Sequence, residues 1–247
     1  MTRRILAGLQ NASHVTCDTA ATHDAILAHS LIPRHRLTIV HNGVHPALTS
    51  TPDPVADTEL ERMLKRRAGT CPELLHVGST ISRKRIDVLL RVFAEVRRHE
   101  PSLRLLRVGG AFTTEQRSLA ASLNLSDSID VLPPMTPELL GAAYRRASVL
   151  LQTSESEGFG LPVIEAMACG TPVIASDIAP LREIGGRAAI FCAVGDIPLW
   201  TNAVIEQLQR SPDSTALSAQ TAKFCWSNYA ATMADTYRRV LEQVSEP

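Results

Sequence analysis

The chain has no excess of charge. Its 25 lysines and arginines are matched by 25 aspartates and glutamates, so the net charge is zero with histidine neutral. Such a balance exerts no long-range pull on nucleic acid or anionic lipid, and neither is expected as a partner. Cysteine is sparse. Cys17, Cys71, Cys169, Cys192 and Cys225 form no CxxC pair, which is the usage of a reducing compartment and carries no metal-ligand spacing. The eight histidines show none either, so no metal or other cofactor is expected. No run approaches the roughly 18 apolar residues of a membrane span, and no signal-peptide pattern opens the chain. A cytoplasmic protein is expected, with at most peripheral contact at the inner membrane face.

What is present is apolar material. Hydrophobic residues make up 45% of the 247 positions and charged residues 20%, enough for a true core and against disorder. Short apolar runs at 14–18, 37–42, 73–78, 103–109, 129–132, 148–153, 172–176 and 188–192 each close on Gly, Ser, Asn, Asp or a similar residue, as buried parallel strands do. Helical segments lie between them. In 87–100 the apolar positions Val88, Leu89, Val92, Phe93 and Val96 share one face, with charges opposite. Segments 113–123, 136–146 and 196–209 read alike, and 213–244 reads as helical with a break near "FCWSN". The alternation predicts an α/β fold, a doubly wound parallel sheet of Rossmann-like type. Residues 46–58, with three prolines and little periodicity, read as a connector. Residues 1–45 hold too few strands to close a core alone.

The stretch "SESEGFGLPVIEAMACGTPVIASD" (154–177) places Gly158 and Gly160 after a strand, then Pro162 in the first turn of a helix. Glycines let a ligand approach the backbone, and a helix N-terminus offers unpaired N–H groups to an anion. Glu157 and Glu165 would repel a bare phosphate but would accept hydrogen bonds from sugar hydroxyls. A ligand bearing both diphosphate and polyols resolves that tension; an ordinary helix cap with two exposed glutamates is the plainer alternative. The basic clusters 62–67 and 97–98 read as solvated helix faces, and His41 and His76 as structural. Asn42-Gly43 reads as a turn with φ > 0 permitted at both residues, and Asp177 as a cap for the following helix.

The same stretch resembles the signature of the group 1 (family four) retaining glycosyltransferases, in which two glutamates flank seven residues; Glu157 and Glu165 occupy its positions. "LLHVGSTISRKRIDVLL" (74–90) is similar to the family's donor-diphosphate segment, "LTIVHNGVHP" (37–46) to its interdomain crossover, and "FCWSNYAATMADTYRRVLE" (224–242) to its closing helices. The resemblance implies the GT-B arrangement of two facing Rossmann-like domains, with this chain supplying the C-terminal, donor-binding half. It divides the chain into 1–45 as the tail of a truncated N-terminal domain, 46–58, a donor domain at 59–225, and a helix at 226–247 returning toward the N-terminal domain.

By position, Glu165 is expected to hold the donor ribose and Glu157 to face the transferred sugar. Gly158, Phe159, Gly160 and Leu161 should line sugar and diphosphate through backbone, beside Gly78 and Ser79, while Pro134 and Met135 should meet the base. Lys84 matches the diphosphate-neutralising lysine. Many members carry an arginine where this chain has Ser79, and Arg83 is the expected substitute. A basic residue at a helix start opposes the dipole, so an anion near Arg83 and Arg85 is expected. The implied activity is transfer of a sugar, without metal, from a nucleoside-diphosphate sugar to a hydroxyl acceptor such as a glycan or lipid-linked sugar. A non-catalytic donor-binding subunit served by a separate N-terminal polypeptide is the alternative. A dinucleotide oxidoreductase is disfavoured, because no G-x-G-x-x-G follows the first strand.

Overall fold

The computed structural model describes residues 2–245, which form two compact units. One combines Met1–Val44 with Ala222–Pro247, and the other is His45–Thr221. In chain order the elements are α1 (Thr2–Asn11), β1 (Val15–Cys17), α2 (Ala20–Ala28), β2 (Leu37–Ile39), α3 (Pro54–Leu64), β3 (Glu73–Val77), α4 (Ile86–His99), β4 (Arg104–Val108), α5 (Thr114–Ser122) and β5 (Ile129–Leu132). There follow α6 (Pro137–Arg146), β6 (Val149–Gln152), α7 (Leu161–Ala168), β7 (Val173–Ser176), α8 (Ala179–Gly185), β8 (Ala189–Cys192), α9 (Ile197–Leu208), α10 (Ser214–Thr221) and α11 (Trp226–Ser245).

The larger unit is an α/β fold with six parallel strands in the order β5-β4-β3-β6-β7-β8. Side chains alternate across a strand, and both faces are covered. Leu74, Leu105, Val149, Leu151 and Ile174 join the core built by Val88, Leu89, Val92, Phe93 and Val96 of α4 with Trp200 and Val204 of α9. Their strand neighbours Leu75, Leu106 and Leu150 are equally buried, with α6 packed on β3 and α7 on β6 and β7. Each expected strand core is present, because a strand buried on both faces must be apolar throughout. Strand order reverses at β3, which lies between β4 and β6. The β3 and β6 loops therefore diverge at the C-terminal edge, where open α/β sheets bind ligands.

Three local readings change. The 46–58 stretch is irregular only as far as Asp53, whose carboxylate accepts from the N–H groups of Val55 and Ala56, both at 3.1 Å. With Pro54 at its first position, α3 starts there; an aspartate cap followed by proline is a helix start that periodicity alone conceals. Neither Asn42 nor Gly43 takes positive φ. Gly43 is demanded by space instead, since a Cβ there would lie 2.5 Å from the Trp226 nitrogen. Asp177 does not cap α8, because its carboxylate binds the Arg182 guanidinium, with one bond of 2.6 Å.

The smaller unit pairs β1 with β2 in parallel, Val15 opposite Leu37. Cys17, Ile32 and Leu37 form a small core there, and Thr19 caps α2 by accepting from Thr22 N–H at 3.2 Å. Helix α11 follows a break after α10, and Trp226 meets Tyr229 edge to face at 5.2 Å. Among the described residues no helix is long and apolar enough to cross a membrane.

Candidate functional site at the strand-order switch

After β3 the chain turns at Gly78, Ser79 stands exposed, and a short 3-10 turn at Ser82–Lys84 leads into α4. After β6 the chain runs through Ser154 and Glu157 to Gly160, the residue preceding α7. Parallel pairing of β3 with β6 brings these two loops together, although 73 residues separate Lys84 from Glu157.

Glu157 is the hub. Its side chain is 6% exposed and that of Lys84 9%, with Lys84 Nζ donating to Oε1 at 2.5 Å. Arg83 Nη1 donates to Oε2 at 2.8 Å and to the Ser156 carbonyl at 2.6 Å. Gln152 Nε2 and Ser154 Oγ each donate to Oε1 at 2.7 Å. Burial alone would push this carboxyl up, but the bonds from Lys84, Arg83 and Ser154 outweigh it and hold the group below the usual carboxylate range. The loops are also tied through backbone, with Glu155 N–H donating to the Arg83 carbonyl at 2.9 Å.

Helix α7 begins behind that hub. Gly160 has φ +95°, and a Cβ there would lie 2.5 Å from Leu181 Cδ2, so only glycine fits. Pro162 occupies the first turn, where an amide hydrogen would find no helical partner. Gly158 is exposed, Phe159 buried and Leu161 exposed, so this entry presents backbone around one anchored ring. Glu165, farther along α7, is half-buried. Tyr144 Oη donates to its Oε2 at 2.7 Å. Burial raises the Glu165 carboxyl, and the bond from Tyr144 only partly offsets this. Tyr144, itself buried beside that carboxylate, is pushed well above the ordinary phenol value.

Pro134 is exposed and Met135 half-buried in the loop after β5. That loop also opens at the C-terminal edge, since Gly109 and Gly110 N–H groups both donate to the Leu132 carbonyl. The anion expected near Arg85 belongs to the chain: its guanidinium pairs with Asp87 at 2.9 Å and Glu155 at 3.3 Å. Among the described residues no group of three or more His, Cys, Asp or Glu is placed to hold a metal. A cavity of about 480 Å³ lined by Ser50, Asp57, Arg145 and Cys169 lies toward the far ends of α6 and α7. Burial pushes the Cys169 thiol there up to about 12.

Sequence reasoning missed Gln152, Ser154 and Tyr144. A glutamine ending an otherwise apolar strand was a readable signal; nothing in sequence linked Tyr144 to Glu165, 21 residues away.

Comparison with known proteins identifies the family and the fold. The family model described as "Glycosyl transferases group 1" matches residues 58–224. The D-inositol 3-phosphate glycosyltransferase of Gordonia bronchialis is 30% identical, over 98% of this chain and 60% of its own length. Its counterpart in Streptosporangium roseum is 36% identical over 66% of this chain and 41% of its own. The chain thus spans 60% or less of either relative. Among solved structures, a sucrose-phosphate synthase from Thermosynechococcus elongatus superposes with a TM-score of 0.80 at 28% identity, covering 96% of this chain and 61% of that one. Anabaena HepE in complex with UDP and glucose gives 0.84 at 19% identity, over 96% and 66%, which is a likeness of fold.

Proposed function

The chain belongs to the group 1 glycosyl transferases, and from that premise we propose that its larger unit binds a nucleoside-diphosphate sugar at the edge where the β3 and β6 loops diverge. One observation carries the reading. Two cations from the first loop, Lys84 and Arg83, meet a carboxylate from the second beside a glycine-built helix entry, with another carboxylate further along that helix.

In this reading Lys84 and Arg83 neutralise the diphosphate, a role that a metal takes elsewhere. The backbone of Gly158, Phe159, Gly160 and Leu161, with Gly78 and Ser79, lines sugar and phosphate. Pro134 and Met135 meet the base. Glu165, with one oxygen held by Tyr144, accepts from the ribose hydroxyls. Glu157 faces the transferred sugar. When the diphosphate draws Lys84 and Arg83 to itself, this carboxylate is released to accept from sugar hydroxyls, since an ionised carboxylate only accepts.

The reaction is retaining transfer in glycan or polysaccharide synthesis. The bond from the anomeric carbon to the diphosphate breaks as a hydroxyl oxygen attacks on the same face, and its proton passes to the departing phosphate oxygen. No side chain stands as a positioned nucleophile in this reading, so the cations' stabilisation of the leaving group is the main contribution. The protein is cytoplasmic or peripheral at the inner membrane face.

Calorimetric titration with UDP-, GDP- and ADP-sugars tests the donor site: one should bind, and Glu165→Ala should abolish that binding. Indifference to all three would sink the reading. A second reading is a donor-binding module whose turnover needs a separate N-terminal polypeptide. Turnover assayed with and without such a half chooses between them.

A further inference from the structure

Beneath the Gly78 turn lies a polar layer that the donor reading leaves unused. Arg107 of β4 and His76 of β3 are register partners, and both are fully buried. Arg107 Nη1 donates to the Val108 carbonyl, which also accepts from Gly78 N–H at 3.0 Å. Arg107 Nε and Nη2, and both ring nitrogens of His76, have no hydrogen-bond partner among the described residues. A buried guanidinium without a carboxylate is costly, because nothing replaces the hydration it gave up. Burial lowers Arg107 to about 10, so it remains a cation at neutral pH. His76 adds no charge, since burial and the nearby Arg107 and Lys84 hold it well below its ordinary value.

The packing points this cation toward the switch. A Cβ on Gly109 would lie 2.1 Å from the Gly78 oxygen and 2.9 Å from Arg107 Nη1. One on Gly78 would lie 3.6 Å from Lys84 Nζ and 3.7 Å from His76 Cε1. Gly78 is therefore flanked by Lys84 on one side and, through Gly109, by Arg107. At Gly109 only bare glycine backbone fits, while Gly78 is held to glycine by its φ of +150° rather than by space. Lys84 and Arg83 share the carboxylate of Glu157, whereas Arg107 has none, which leaves the cluster net positive.

We propose that Arg107 is a positioning residue of the phosphate site. From beneath the Gly78 and Gly109 turns it supplies a fixed positive charge to a diphosphate held above them. The bound dianion completes a charge balance that the chain alone leaves open. The inference rests on the donor-site reading.

The test uses Arg107→Met and Arg107→Lys in the full chain, with calorimetric titration of UDP and of uridine and thermal melts without ligand. Arg107→Met should bind UDP on the order of tenfold more weakly with uridine affinity unchanged. Its unliganded melting temperature should equal or exceed that of wild type, because methionine removes an uncompensated buried charge. Arg107→Lys should recover most of the UDP affinity. Wild-type UDP affinity in Arg107→Met overturns the proposal. So does equal loss of UDP and uridine binding, or a fall in melting temperature, either of which would make Arg107 structural. If wild type binds none of UDP, GDP and ADP, the donor reading fails and this inference falls with it.

Discussion

Removing the Glu157 carboxylate is the sharpest perturbation of the hub. The Lys84–Glu157 pair is almost wholly buried, with side chains 9% and 6% exposed. Breaking such a pair from one side leaves a desolvated charge and costs about 3–5 kcal/mol. The Arg83 bond adds little, because its side chain is 42% exposed and water compensates its loss. Glu157→Ala should therefore lower the melting temperature by about 10 °C, at roughly 2–4 °C per kcal/mol for a domain of this size. Lys84→Met should cost less, since Gln152 and Ser154 still donate to the remaining carboxylate. The double variant should lose less than the sum, with a coupling of at least about 1 kcal/mol. Titration carries its own signature. The cations hold the Glu157 carboxyl low, so its contribution is complete above about pH 4.3 and disappears as pH falls through the depressed value. Glu157→Gln should flatten that acid limb. Calorimetry adds a functional readout: Glu157 competes with a diphosphate for Lys84 and Arg83, so Glu157→Ala should bind UDP at least as tightly as wild type. Urea melts placing Glu157→Ala within about 0.5 kcal/mol of wild type, with additive single effects, would refute the reasoning.

Two further perturbations probe the donor face. Tyr144→Phe removes the donor at 2.7 Å from Glu165. Burial already raises that carboxyl, so keeping it ionised weakens the fold as pH climbs above the ordinary carboxylate range. Losing a bond to a charged group should deepen the cost at neutral pH by about 1.5–3 kcal/mol. Melts at pH 4.5 and 7.5 should diverge more for Tyr144→Phe than for wild type, and identical gaps would count against it. Gly160→Ala should cost about 1–3 kcal/mol, because the added methyl meets Leu181 Cδ2 at 2.5 Å in a backbone of φ +95°. In a double-mutant cycle by urea melts, Leu181→Ala should destabilise on its own but cost less beside Gly160→Ala, the difference being the steric part.

Legibility followed burial. The strands of the larger unit could be read because strands covered on both faces must be apolar along their length, while turn residues mark their ends. Helix α4 could be read because one face alone meets the sheet. The start of helix α3 was missed, since Asp53 and Pro54 sit in a proline-rich stretch whose composition suggests a loop. The Asn42-Gly43 reading failed for a different reason: the constraint at Gly43 comes from Trp226, 183 positions away in sequence.

The sequence by itself determined the alternation of strand and helix, the glycine-built entry to α7, and the two glutamates that mark the family. Local periodicity and backbone chemistry suffice for those. Only the tertiary structure decided what the charges do. The reversal of strand order at β3 set Lys84 and Arg83 against Glu157 and so joined three expected site groups in one ion-paired hub, buried at Lys84 and Glu157. Pairing of β3 with β4 set Arg107 beneath the Gly78 and Gly109 turns, and packing aimed Tyr144 at Glu165. Partners remote in sequence are chosen by which strands share hydrogen bonds, and that choice is settled by the whole sheet's burial, which no single segment encodes.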